Sequence, residues 1–115
     1  MYKSIALVAM CGFLWFGSVS QAAIVSTSPS TVKSQTVISY AAFGGGDIVF
    51  QLTTNSLSEC GGGFWLRATD PGFKNNLAIL LAQAQAGGAV TVAADDSQIW
   101  TGSSTPFCLV YCLIF

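Results

Sequence analysis

Asp70-Pro71-Gly72-Phe73-Lys74-Asn75-Asn76-Leu77-Ala78-Ile79-Leu80-Leu81-Ala82-Gln83-Ala84-Gln85-Ala86-Gly87-Gly88-Ala89-Val90-Thr91-Val92-Ala93 changes its hydrophobic period once, and that change sets the fold class. In the first part Phe73, Leu77, Leu80, Leu81 and Ala84 recur at three- and four-residue spacing, which lays one apolar stripe along a helix. Asp70 can accept from the free backbone amides of a first helical turn, and Pro71 suits the first helical position. Gly87-Gly88 stops the helix. Beyond the stop, residues 89–93 alternate as a strand does.

Outward from this stretch the chain reads as short strands with glycine punctuation, without an internal repeat. Upstream, residues 24–31 form a Ser/Thr/Pro-rich lead, Thr36-Val37-Ile38-Ser39-Tyr40 a first strand, and Gly44-Gly45-Gly46-Asp47 a tight connection into a second strand at residues 48–53. These two strands form a hairpin. A polar loop at residues 54–63 holds Cys60, and a third strand follows at residues 64–69. Alternation places Trp65 and Arg67 on one face of it and Phe64, Leu66 and Ala68 on the other. Downstream, Asp95-Asp96-Ser97 reads as a turn and Gln98-Ile99-Trp100 as a return, or as a continuation after a bulge. Residues 107–115 form an apolar final strand that is either buried on both faces or placed at a subunit contact. The expected fold is mostly β with one helix.

The start of the chain has a different character. Lys3 precedes an apolar run over residues 5–16, and Ser20-Gln21-Ala22 puts small residues three and one before a scissile bond. This is the pattern of a secretory signal peptide over residues 1–22, cut after Ala22, with one domain over residues 23–115. The run is too short for a membrane span. The protein is therefore expected in the periplasm or outside the cell, with no membrane span in the mature chain.

Charge and composition narrow the function. Of 115 residues 52% are hydrophobic and 8% charged, and there is no histidine. Lys33, Arg67 and Lys74 face Asp47, Glu59, Asp70, Asp95 and Asp96 in residues 23–115, so there is no basic stripe for a nucleic-acid backbone. The commonest general base and metal ligand is missing. Asp95-Asp96 has no third oxygen donor at a fitted spacing for a cation. An enzyme, a metal site and a cofactor are not expected.

Cys60, Cys108 and Cys112 remain after the leader. An oxidising compartment favours one disulfide, which a small core needs. Cys108 and Cys112 share a strand face but lie roughly 13 Å apart at ~3.3 Å per residue, beyond disulfide reach. The expected bond joins Cys60 to Cys108, with Cys112 a buried filler or the alternative partner and one thiol left free.

The order strand-strand-strand-helix-strand-strand is that of the OB arrangement, a five-stranded Greek-key barrel with its helix between the third and fourth strands. The residues from Gly72-Phe73-Lys74 through Gln83-Ala84 and Gly87-Gly88 to Val90-Thr91-Val92 and Ile99-Trp100-Thr101 resemble the B subunits of subtilase cytotoxin and related pertussis-like toxins. The resemblance implies an OB-like barrel, a homo-oligomeric ring of five, binding of cell-surface glycans and a catalytic toxin subunit as partner. It also implies a sugar contact at Ser34, in the context Ser34-Gln35-Thr36-Val37-Ile38. Read from chemistry, Trp65 and Trp100 could stack on a pyranose and Arg67 could pair with a ligand carboxylate. The alternative for the tryptophans is core packing. The alternative for the whole protein is a secreted structural or protein-interaction domain without a glycan site.

Overall fold

The two hydrophobic periods sort the chain into one sheet and one helix. The computed structural model describes residues 23–115; the secretory leader read over residues 1–22 lies outside the described residues. The elements are β1 (Ile24–Ser26), β2 (Ser30–Thr31), β3 (Ile38–Ser39), β4 (Ile48–Phe50), β5 (Gly63–Leu66), α1 (Phe73–Ala86), β6 (Ala89–Ile99) and β7 (Phe107–Ile114). The sheet order is β1-β6-β7-β5-β4-β3, with β2 also on β6. β5 and β7 are parallel, and the other pairs are antiparallel. Parallel neighbours need a crossover, which α1 and β6 supply.

The protein is thus mostly β with one helix, but the sheet is a mixed one of seven strands and is not closed into a five-stranded barrel. The helix follows the fifth strand instead of lying between the third and fourth. Both differences arise in residues 23–39, whose strands are short and divided between the two ends of the sheet. Thr31 pairs with Ala89 of β6, while the next residue, Val32, bridges Leu52 just beyond β4. Lys33 N–H donates to Gln51 O at 2.8 Å and Thr53 N–H to Thr31 O at 2.9 Å. One chain segment therefore touches both ends of the sheet without a continuous ladder between them.

Alternation along β4, β5 and β7 divides the buried side chains between two faces. Ile48, Phe50, Phe64, Leu66, Cys108 and Val110 belong to the larger cluster, against which Phe73, Leu77, Ile79 and Leu80 of α1 pack. Val49, Trp65, Phe107, Leu109 and Trp100 form the second cluster on the opposite face. The helical stripe is narrower than expected: Leu80 is fully buried, whereas Leu81, about 100° further round the helix, is 45% exposed and Ala84 is also exposed. Nor does Asp70 cap the helix. Its carbonyl accepts from Phe73 N–H at 3.1 Å, while its carboxylate goes to Arg67. At the other end Gly87 is left-handed (φ 71°) and its N–H bonds Gln83 O, the expected glycine stop.

The disulfide joins Cys60 to Cys108 as expected, with Cα atoms 5.4 Å apart. The expected leftover thiol is not found: no described cysteine is free, Cys112 included. Simple alternation along β7 also fails. Ala93 pairs with Cys112 but Ala94 with Val110, so Tyr111 is an extra residue. This bulge reverses the parity, and Leu113 joins Cys108 and Val110 in the larger cluster where unbroken alternation would have put Cys112. The disulfide fits an oxidising compartment. Among the described residues no helix is long and apolar enough to cross a membrane.

The bond closes a loop with a sequence separation of 48, for which chain entropy gives a stabilisation of roughly 4 kcal/mol. Replacing both partners (Cys60→Ala with Cys108→Ala) is expected to lower the midpoint of thermal unfolding by about 10–30 °C, taking about 2–4 kcal/mol at about 4–8 °C per kcal/mol. Calorimetry of the double variant against the wild type measures this directly.

Candidate functional site

The face opposite α1 gathers three of the four ligand residues expected from the sequence. Trp65 points there from the middle of β5 and Arg67 follows two residues later, as alternation requires. The Arg67 guanidinium lies 5.7 Å from the Trp65 ring centroid. Its Nε donates to Asp70 Oδ1 at 2.9 Å and its Nη1 to Gln98 Oε1 at 3.0 Å. The indole Nε1 of Trp65 donates to the Gln98 carbonyl at 3.0 Å. Gln98 can reach both because β6 bulges: Asp95 pairs with Leu109 and Ile99 with Cys108, leaving Asp96, Ser97 and Gln98 outside the register. Of the two courses expected for residues 98–100, a return or a continuation, the strand continues past the bulge to Ile99.

Asp95 organises this bulge. It accepts from Ser97 N–H at 2.9 Å, from the Ser97 hydroxyl and from Gln98 Nε2 at 3.0 Å. Burial pushes its carboxyl up, but the hydrogen bonds from Ser97 and Gln98 and the charge of Arg67 outweigh burial and hold it below the ordinary carboxylate value.

Trp100 lies at the other end of the same face. Its backbone N–H donates to Phe107 O at 3.0 Å and its Nε1 to Asp47 Oδ2 at 3.2 Å. Asp47 is 3% exposed and its second oxygen accepts from Ala68 N–H at 3.2 Å. The turn leading to Asp47 depends on glycine: Gly44, Gly45 and Gly46 have φ of 63°, 88° and 104°, and a Cβ on Gly44 would collide with the Asp47 carboxylate. Phe43 opens the turn, with its ring centroid 5.2 Å from Trp100 and 6.3 Å from Tyr40, while Tyr40 lies 5.4 Å from Trp100.

Trp65 and Trp100 are thus brought together as packing residues, 8% and 4% exposed, with both indole N–H groups bonded within the protein. Neither offers an open face to a sugar. Arg67 is partly exposed but already holds Asp70 and Gln98. Ser34 is exposed in the turn at residues 34–35 between β2 and β3, where Gln35 has φ 63°. It is therefore a turn residue and not part of a strand. Within this aromatic group the side chain that does face solvent is Phe43, 43% exposed, a residue not among those expected from the sequence. Its one signal is its place directly before three glycines, where a ring is held at a turn without strand neighbours on both sides. Among the described residues no three His, Cys, Asp or Glu side chains converge as a metal site.

Removing the Asp47 carboxylate leaves the Trp100 indole and the Ala68 amide without acceptors. Asp47→Ala is expected to destabilise the protein by about 2 kcal/mol, the usual range for buried donors left unpaired. Denaturant unfolding followed by tryptophan fluorescence measures the loss. Asp95 supplies a separate, pH-dependent contribution. Its folded pKa is depressed, so its stabilisation is present above the ordinary carboxylate range and is lost as pH falls through the folded value. Asp95→Asn is expected to flatten that acid limb while leaving the neutral-to-alkaline limb in place, as read from unfolding midpoints across pH.

Comparison with protein-family models, with curated proteins and with solved structures finds no match to this chain.

Proposed function

We propose that the chain is an exported, non-catalytic binding module that works as a homo-oligomeric ring, like the toxin B subunits it resembles, and takes a cell-surface glycan at the exposed Phe43 ring, which Tyr40 and Trp100 back from within the protein. The observation that carries this reading is the exposed Phe43 ring, held against two aromatic neighbours on a glycine turn. A ring fixed in this way loses little rotamer freedom on binding, and its face suits the apolar side of a pyranose. Ser34 remains the second contact that the resemblance implies, and a catalytic subunit the implied partner of the ring.

A further feature supports the reading. Large apolar side chains are exposed at Ile38, Leu81, Tyr111 and Phe115, which suits contact between copies. The last two, 47% and 77% exposed on and just beyond β7, equally favour a second reading as a secreted protein-interaction domain without a sugar site.

A glycan array probed with the wild type and with Phe43→Ala separates the two. Glycan binding by the wild type, weakened about five- to tenfold in Phe43→Ala, is expected, since a stacked aromatic contact is worth on the order of 1 kcal/mol. No binding by a wild type that native mass measurement shows to be oligomeric would favour the second reading. A monomer at micromolar concentration would remove the ring.

A further inference from the structure

We infer that cleavage after Ala22 completes the outer edge of the sheet, because the α-ammonium released on Ala23 pairs with the carboxylate of Asp96. This rests on the reading of residues 1–22 as a leader removed during export. The register of the edge puts the new terminus at one place. Ser26 lies opposite Ala93, Val25 opposite Ala94 and Ile24 opposite Asp95, so Ala23 comes next to Asp96. The Ala23 carbonyl accepts from Asp96 N–H at 3.1 Å, which fixes the two residues as neighbours.

The charges at this corner favour a cation. β1 packs on β6, and the titratable groups of β6 there are Asp95 and Asp96, with Arg67 acting on Asp95 by its charge and bonded to Gln98. The Asp95 carboxylate is committed to Ser97 and Gln98. Asp96 is half-buried and outside that network. Arg67 is held by Asp70. Before cleavage the Ala23 nitrogen is a neutral amide. Hydrolysis by an export peptidase adds the hydroxyl of water to the Ala22 carbonyl carbon, breaks the C–N bond and leaves the hydrogen of water on the Ala23 nitrogen, which takes up a further proton at neutral pH. A charge therefore appears beside Asp96 only after processing, and the short first strand gains an ionic clamp in addition to its ladder bonds.

The test uses the protein purified from the exported fraction, first by mass measurement of its N-terminus and then by labelling of the amino group with an acylating reagent across pH. A start at Ala23 is expected. Its amino group should titrate above the ordinary α-amino range and react about two- to fivefold more slowly at neutral pH than in Asp96→Asn, the range for an exposed ion pair. High salt should narrow that difference. Because the folded pKa is raised, the thermal stabilisation relative to Asp96→Asn should be present below the ordinary α-amino range and vanish as pH rises through the folded value. An amino group that titrates ordinarily, or that Asp96→Asn leaves unmoved, overturns the inference alone. An exported chain that still carries residues 1–22 overturns the export reading with it.

Discussion

The burial of β7 on both faces is the constraint on which the rest of the structure depends. This strand sits between β6 and β5, antiparallel to one and parallel to the other, so neither of its edges is open over the paired residues. Its side chains supply both clusters: Cys108 and Val110 to the helix-covered face, Phe107 and Leu109 to the opposite one. A strand in this position must be apolar at consecutive residues, as Phe107-Cys108-Leu109-Val110 is. The disulfide from Cys60 enters the same strand at Cys108 and ties the loop before β5 to it, so the parallel pair is held covalently at its beginning.

Two bulges adapt this arrangement to the chain. The first, at Tyr111, reverses the parity of β7 and brings Leu113 into the larger cluster while Tyr111 turns to solvent. The second, at Asp96-Ser97-Gln98, brings Gln98 over β5, where its carbonyl takes the Trp65 indole N–H and its side chain meets Arg67. Without that acceptor a buried indole donor would be left unpaired. The outer face can therefore bury two tryptophans without a second helix to cover it, because the polar bulge and the glycine turn carrying Asp47 supply the acceptors.

Much of this fold was legible in the sequence, and the rest was not for identifiable reasons. The helix, its glycine stop, the hairpin and the alternation in residues 64–67 follow from local periodicity, and the reach of a disulfide ties Cys60 to β7 while leaving both Cys108 and Cys112 open as its partner. The strands at Ile24–Ser26 and Ser30–Thr31 have no apolar alternation of their own and are strands only because β6 offers partners, a non-local fact. The bulge at Tyr111 leaves no mark in an apolar run, so counting by twos misplaced Cys112. Asp70 looked like a helix cap because its competing partner, Arg67, becomes visible only once β5 ends beside it. At the candidate site the order of attention by residue type is inverted by exposure: Trp65 and Trp100 stand out in the sequence but are buried, whereas Phe43 beside them is exposed.

This inversion bears on how such a surface can recognise anything. A buried tryptophan contributes rigidity, and an exposed phenylalanine packed against it inherits that rigidity at little entropic cost. The Gly44-Gly45-Gly46 turn then has two properties that pull in different directions, since glycines, which reach these positive φ values without strain, leave the unfolded chain free, while the close approach of Gly44 to Asp47 leaves little space in the folded one. Asp47 resolves the conflict. Its two oxygens fasten the turn to Trp100 on one side and to Ala68 on the other, while its N–H and that of Gly46 donate to the Phe43 carbonyl, so the buried carboxylate and the turn together hold Phe43. The surface proposed for recognition and the core beneath it are thus one structure, and a change that loosens the core should be felt at the ring.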